Sequence, residues 1–134
     1  MTIDSGTARR VNVLVVDDDT DLQRVMIRFL TLEGFAPIIA GNGQEALTYL
    51  RGGASVDVIL LDLRMPIMDG WTFRREQRAD PALAAIPVVV LSGTETDRMA
   101  ELAAAASFYK PVSFPEVIAV IRRLSGAHAS QSGS

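Results

Sequence analysis

The chain contains short hydrophobic runs that are separated by longer segments of mixed polarity. Three of these runs, at 11–16, 56–61 and 87–91, are apolar almost throughout. Runs of this kind are typical of strands covered by helices on both faces, so they predict a buried parallel sheet. A weaker strand is predicted at 35–40, and Pro37 places it at an edge because proline has no N–H to donate to a neighbouring strand. A shorter run before Lys110 predicts a fifth strand.

The segments between the runs have the periodicity of amphipathic helices. In the first, apolar residues recur at i, i+3, i+4 and i+7 from Leu22, and Gly34 lies where a helix C-cap is expected. Asn42 and Glu45 resemble a capping pair for a second helix, which stops at Gly52. Further helices are predicted at 70–78, 94–106 and 113–124, the last from a capping-box pattern. Five strands therefore alternate with five helices, which favours βαβ units and a parallel α/β fold.

The composition narrows the class of protein. The 134 residues are expected to form one domain over 10–124, with a disordered N-terminus at 1–9 and a flexible tail at 125–134. A net charge of -3 and a pI near 5.1 do not favour non-specific binding of nucleic acid. The absence of cysteine excludes disulfides and thiolate metal sites. Since neither a signal peptide nor a membrane-spanning run is found, we expect a soluble cytoplasmic protein.

Polar residues with related chemistry follow the apolar runs directly. Asp17 and Asp18 follow the first run, Asp62 and Ser92 follow the next two, and Lys110 follows the last. The carboxyl ends of parallel strands meet at one edge of the sheet, where open α/β folds bind ligands, so these side chains are expected to converge. Phosphoryl transfer to a carboxylate needs such a set: a nucleophilic oxygen, oxygen ligands for Mg²⁺, and donors for the remaining charge.

Each feature taken alone also has a structural interpretation. Three consecutive aspartates before a helix often serve only as an N-cap and as charges that interact with the helix dipole. Only the joint placement at strand ends favours a functional site. Other candidates are interpreted as structural: Trp71 as a packing residue, and the arginines of the third helix as surface residues, with a charged patch that faces a partner as the alternative for the arginines.

Four segments resemble the motifs of the receiver domain of two-component response regulators, of the stand-alone kind similar to chemotaxis regulators. They are Asp17-Asp18-Asp19, residues 61–70, residues 90–93 and Tyr109-Lys110-Pro111. The resemblance extends from about residue 10 to residue 124. It implies a doubly wound, flavodoxin-like α/β fold, in which a five-stranded parallel sheet has the strand order 2-1-3-4-5 and is accompanied by five helices.

The resemblance also implies roles for the acidic residues. Asp62 is the expected phospho-acceptor, which takes a phosphoryl group from a histidine kinase or a histidine phosphotransfer protein. Mg²⁺ would be bound by Asp17, Asp18, Asp62 and the backbone carbonyl of Arg64. Asp19 is expected to cap or begin a helix instead of binding the metal.

The resemblance implies that the hydroxyl and the lysine respond to the phosphoryl group. Ser92 takes the switch hydroxyl position, and Lys110 is expected to contact the phosphoryl oxygens before a peptide bond to Pro111 that is typically cis. Phosphorylation would draw Ser92 and its loop inward. The fourth helix and the fifth strand would then shift toward a second arrangement.

The chain departs from the family pattern in two places. The family usually has an aromatic residue three positions before the lysine, and here that position is Ser107, followed by Phe108 and Tyr109. A shifted Phe108 is the favoured replacement, with an altered serine–aromatic coupling as the alternative. The segment from Ser92 to Lys110 is also about four residues shorter than usual, which predicts a fourth helix trimmed by about one turn.

The leading hypothesis is a phosphorylation-dependent signalling switch that acts through protein contacts. It is expected to assist its own phosphorylation and slow autodephosphorylation without being a dedicated enzyme, and to be a monomer or a weak phosphorylation-dependent dimer. Its downstream target would bind the face made by the fourth helix, fifth strand and fifth helix, without direct contact to nucleic acid or membrane.

Two other hypotheses belong to different classes. One is a receiver-fold interaction module that has lost phosphorylation, although the five intact site residues argue against it. The other is a phosphatase of the haloacid-dehalogenase type, suggested by the Asp-x-Asp spacing within Asp17-Asp18-Asp19; it would leave Asp62 without a role.

Overall fold

The computed structural model describes residues 10–93 and 97–133, with side chains described at 10–93 and 98–125. The strands are β1 (Asn12–Val16), β2 (Ala36–Ala40), β3 (Val58–Asp62), β4 (Val88–Ser92) and β5 (Ala106–Tyr109). All neighbouring strands are parallel, and their order in the sheet is β2-β1-β3-β4-β5. The predicted strand order is confirmed, and so is the edge position of the strand that contains Pro37.

Helices cover both faces of the sheet. They are α1 (Thr20–Leu32), α2 (Gly43–Arg51), α3 (Gly70–Ala79) and α4 (Phe114–Gly133). Alternate strand residues enter two separate cores, because successive side chains of a strand point to opposite faces. The core under α1 and α4 includes Val13, Val15, Met26, Leu60 and Ile121. The core under α2 and α3 includes Leu14, Leu47, Leu61 and Phe73.

Side-chain caps set the start of three helices. The Asp19 carboxylate accepts hydrogen bonds from the N–H groups of Asp21 (2.9 Å) and Leu22 (3.1 Å), as the sequence predicted. Asn42 caps α2 and Asp69 caps α3 in the same manner. Because the Asp19 carboxylate is engaged in capping α1, it is not placed to serve as the second carboxylate of a phosphatase-type pair.

The segment before β5 differs from the predicted fourth helix at 94–106. A 3-10 helix spans Asp97–Leu102, and Ala103 then adopts a positive φ of 47° that ends it. Residues 94–96 lie outside the described part of the chain. The described residues therefore contain four α-helices instead of five, and the described part of the segment between β4 and β5 forms a 3-10 helix. The predicted fifth helix is α4.

The two ends of the chain bear on the predicted domain boundaries. The helical backbone of α4 continues to Gly133, beyond the boundary at 124 that the sequence suggested. Residues 1–9, which were expected to be disordered, lie outside the described residues, and the flexibility of 125–134 stays a prediction. Across the described ranges, no helix has the length and apolar character needed to cross a membrane.

Arg74 is buried, with 8% of its surface exposed, so the expectation that the arginines of α3 lie on the surface is wrong for this residue. Its guanidinium donates to the carbonyls of Leu102 (2.7 Å) and Ala103 (2.8 Å) and to the side-chain oxygen of Gln77 (2.7 Å). Gln77 is fully buried and donates in turn to the carbonyl of Leu83 at 2.9 Å. These hydrogen bonds attach the end of the 3-10 helix to α3.

Candidate functional site

The polar residues that follow the strands lie at the carboxyl edge of the sheet, as the sequence predicted. β3 is the central strand, so Asp62 lies between the end of β1, which Asp17 follows, and the end of β4, where Ser92 lies. Asp17, Asp62 and Ser92 are all at least nine-tenths buried, whereas Asp18 is exposed. A buried aspartate thus has an acidic pair on one side and a hydroxyl on the other.

The acidic residues form a cluster that fits a divalent cation. Asp17, Asp18 and Asp62 can each direct one carboxylate oxygen so that the three oxygens lie within 4.8 Å of one another. Mg²⁺ prefers such hard oxygen ligands and keeps several of its waters, and exposed Asp18 leaves one side of the cluster accessible. The backbone N–H of Arg64 donates to the Asp62 carboxylate. The predicted role of the Arg64 carbonyl as a metal ligand stays a prediction.

Lys110 supplies the positive charge of the site. Its ammonium lies 3.3 Å from one oxygen of Asp17 and 3.3 Å from one oxygen of Asp62. Its backbone N–H donates to the carbonyl of Ser92 at 2.7 Å, which joins the end of β5 to the end of β4. The peptide bond between Lys110 and Pro111 is cis, as the resemblance implied.

Burial and charge both affect the ionisation of these groups. Burial raises the pKa of Asp62, and the neighbouring Asp17 carboxylate raises it further, against the opposing influence of Lys110. Burial opposes the charged form of Lys110, but Asp17 and Asp62 outweigh it and raise the pKa of the ammonium. The lysine is therefore protonated at neutral pH, and the site carries more negative than positive charge.

The loop between Asp62 and α3 is held by Gly70. Its N–H donates to the carbonyl of Leu63 at 2.9 Å, and a Cβ at this position would lie 2.5 Å from the carbonyl oxygen of Asp62. Any side chain at position 70 would therefore collide with the backbone of Asp62.

The aromatic residues of β5 do not support a shifted Phe108. In the register of the sheet, Phe108 is paired with Leu91 and packs in the core under α1 and α4. Tyr109 is paired with Ser92, so it lies on the same face as the hydroxyl, with 43% of its surface exposed. Because partners in a parallel pair point to the same face, the interpretation of Phe108 as the replacement is wrong. Ser107 itself is exposed.

These features define a parallel α/β domain with a cluster of three carboxylates at the carboxyl edge of the sheet, around a central aspartate paired with a lysine. The family model for the response regulator receiver domain matches residues 13–122. The chain belongs to the family of response regulator receiver domains.

Individual relatives and solved structures agree with this assignment. The chain is 34% identical over 128 residues to the transcriptional regulatory protein BaeR of Escherichia coli, covering 92% of this chain and 50% of that protein. It is 32% identical to the sensor histidine kinase CheAY of Helicobacter pylori, over 90% of this chain and 16% of the kinase. The receiver domain of the Francisella response regulator 1452 superposes with a TM-score of 0.81 at 25% identity, over 89% of this chain and 99% of that one. The chain thus spans about half the length of BaeR and a smaller part of the kinase.

Proposed function

We propose that this receiver domain is a signalling switch that accepts a phosphoryl group on Asp62 from a histidine kinase or a histidine phosphotransfer protein. The observation that carries the proposal is the position of Asp62 on the central strand. The acidic pair lies on its β1 side, Ser92 lies on its β4 side, and the Lys110 ammonium is 3.3 Å from its carboxylate.

In the proposed step, a carboxylate oxygen of Asp62 forms a bond to phosphorus. The bond between phosphorus and the imidazole nitrogen of the phosphohistidine breaks, and the electron pair leaves with that nitrogen. The product is an aspartyl phosphate on this chain and an unmodified histidine on the donor. Asp62 must be ionised to act as the nucleophile. Its raised pKa opposes ionisation, whereas the Lys110 ammonium favours the ionised form.

The surrounding residues would stabilise the added charge. Mg²⁺ held by Asp17, Asp18 and Asp62, with the predicted Arg64 carbonyl, would neutralise phosphoryl oxygens. The Lys110 ammonium would donate to an oxygen that is not on the metal, and the buried Ser92 hydroxyl would donate to another.

A response at Ser92 can reach the outer strand through the backbone. Ser92 and Lys110 are joined by a 2.7 Å hydrogen bond, so displacement of either strand end moves the other. We place the output surface on the 3-10 helix, β5 and α4, where a protein target would bind. In this proposal the domain is cytoplasmic, acts through protein contacts, and assists its own phosphorylation and slow dephosphorylation without being a dedicated enzyme.

The proposal is tested with acetyl phosphate, which transfers a phosphoryl group without a partner protein. Incubation of the native protein with acetyl phosphate and Mg²⁺ is expected to add about 80 Da, the mass of one phosphoryl group, in intact-mass spectrometry. The Asp62→Asn variant is expected to stay unmodified, and EDTA is expected to suppress labelling of the native protein.

Asp21→Asn is the matched control, since Asp21 is an exposed aspartate in the first turn of α1 and outside the acidic cluster. It should be labelled like the native protein. Equal labelling of Asp62→Asn would remove Asp62 as the acceptor. A complete lack of labelling in the native protein would favour an interaction module that does not depend on phosphorylation.

A further inference from the structure

A second cleft lies away from the acidic site, between α3 and the 3-10 helix. Its volume is about 440 Å³, and the residues that give it its chemistry are Trp71, Arg74, Arg75, Arg78, Arg98 and Glu101. A volume of this size lies within the range of about 300 to 1,000 Å³ that small-molecule sites occupy. The volume alone identifies no ligand, but the lining side chains are mostly positively charged, unlike the chain as a whole.

The cleft concentrates positive charge in an acidic protein. Four arginines and one glutamate line it, although the whole chain carries a net charge of -3 and has only 13 lysines and arginines. Like charges held close together repel one another, so an anion in the cleft would lower the electrostatic free energy of the group. Burial, and then repulsion from Arg78, lower the pKa of the Arg74 guanidinium.

The arginines differ in how firmly they are held. Arg74 is nine-tenths buried at the base and is fixed by three hydrogen bonds. Arg78 reaches across the cleft to the carbonyl of Glu101 at 3.3 Å. Arg75 contacts the Thr72 hydroxyl at 3.5 Å, the outer limit of a hydrogen bond, and its side chain is exposed. A fixed guanidinium at the base and movable ones at the rim can surround a multivalent anion.

The aromatic wall adds an apolar surface. The Arg98 guanidinium lies 4.3 Å from the centre of the Trp71 ring, in the geometry of a cation–π contact. Arg98 also pairs with Glu101 at 3.5 Å, and both of these side chains are more than half exposed. A guanidinium stacked on a ring presents its donors in a plane, which suits the fork-like recognition of phosphate oxygens.

We propose that this cleft binds a small ligand that carries linked phosphate groups, the chemistry of a diphosphate or of a nucleoside diphosphate. The clustering of four arginines around one cavity with an aromatic wall carries the proposal. The site is formed by α3 and the 3-10 helix and does not include the acidic residues. Its existence is therefore independent of the phosphorylation proposed for Asp62.

Trp71 supplies the measurement, because it is the single tryptophan of the chain and lines the cleft. Pyrophosphate and ADP are titrated into the full chain in EDTA, so that no cation can draw either probe to the acidic site. Both are expected to change the Trp71 fluorescence in a saturable manner. Isothermal calorimetry should give the same affinity, and adenosine, which has no phosphate, should not bind.

Variants at the rim test whether the arginines are responsible. Arg75→Gln with Arg78→Gln is expected to weaken binding of both probes by about tenfold or more, since each lost contact is charge-assisted. Glu101→Gln is expected to strengthen binding, because it removes the negative charge found among the described lining residues. Arg24→Gln with Arg28→Gln is the matched control, as it removes two exposed positive charges from α1.

Three results would overturn the proposal. One is that neither probe binds the native protein at millimolar concentration. Another is that the α1 control loses as much affinity as the rim variant, which would mean only a general attraction to the whole protein. The third is that a hexaglutamate peptide binds while both phosphate probes fail, which would assign the cleft to an acidic protein segment instead.

Discussion

Lys110 faces two buried carboxylates at equal distance, and this arrangement leaves the site with uncompensated negative charge. One ammonium lies 3.3 Å from both Asp17 and Asp62, while Asp18 adds a further carboxylate at the exposed side. Burial raises the pKa of Asp62, and the Asp17 carboxylate raises it further against the opposing influence of Lys110. A site of this kind is well suited to a divalent cation.

The raised pKa of Asp62 predicts how stability changes with pH. Since the folded protein binds this proton more tightly than the unfolded chain does, stability falls as the pH rises from the usual Asp value of 3.8 through the raised pKa, and stays lower above it. In EDTA at pH 7, Asp62→Asn is therefore expected to be more stable than the native protein by about 1 kcal/mol. Urea unfolding between pH 4 and pH 7 measures this difference.

The difference between Asp62→Asn and the native protein should shrink as the pH approaches 4, because the native carboxyl then becomes neutral as well. Asp21→Asn serves again as the control, since its carboxylate is exposed and outside the cluster. A variant that is less stable than the native protein at pH 7 would show that attraction to Lys110 exceeds the cost of burial, and would contradict the prediction.

Helix α3 shows that helical periodicity can identify buried positions when residue type does not. Its buried residues are Gly70, Phe73, Arg74 and Gln77. Their spacing of i, i+3, i+4 and i+7 is that of a helix face turned toward the core. Arginine is rarely buried, so residue type alone predicted a surface position for Arg74. The spacing alone therefore identifies Arg74 and Gln77 as positions on the buried face of the helix.

The hydrogen bonds of Arg74 predict a measurable loss on truncation. Arg74→Met keeps an apolar stem but leaves the carbonyls of Leu102 and Ala103 and the Gln77 amide without their donor. Unfolding in urea is expected to show a loss of about 2 kcal/mol or more. Arg75→Met on the exposed face of the same helix should change stability by less than about 0.5 kcal/mol. Equal losses in the two variants would contradict a structural role for Arg74.

In the segment from 94 to 105, local sequence predicts the wrong type of helix for the described part. Its alanines favour an α-helix, yet the described part contains a 3-10 helix that ends at Ala103 in the left-handed region. The contacts from Arg74 hold the shortened connection in place, and no local propensity scale includes such long-range contacts.

At the scale of the whole molecule, the site is an assembly of distant parts of the chain. The acidic pair, the central aspartate, the hydroxyl and the lysine come from β1, β3, β4 and β5 or the residues that follow them. Their convergence could be predicted because apolar runs define the strands, and parallel strands place their carboxyl ends together. The side of the sheet on which each β5 aromatic lies could not be predicted, since a one-residue change in register exchanges the two faces.

Cation binding should stabilise the whole domain. A ligand that binds only the folded state at tenfold its dissociation constant adds about 1.4 kcal/mol, which for a domain of this size is about 4 °C in melting temperature. Mg²⁺ is therefore expected to raise the melting temperature of the native protein by this amount, as followed by differential scanning calorimetry.

Asp17→Asn is expected to respond less to Mg²⁺, because one of the three clustered carboxylates is removed. Na⁺ at matched ionic strength controls for general screening of charge. An equal rise with Na⁺, or an undiminished rise in the variant, would contradict a specific magnesium site.

The ion pair between Lys110 and Asp17 joins residues 93 positions apart, from the outermost strand to one beyond the centre of the sheet. Contacts of such large sequence separation form late in folding, because the chain between them must first be ordered. A nascent chain that has not yet added β5 holds its carboxylates without their ammonium. In the proposed reaction, the ammonium that favours the ionised form of Asp62 is therefore supplied only with the last strand.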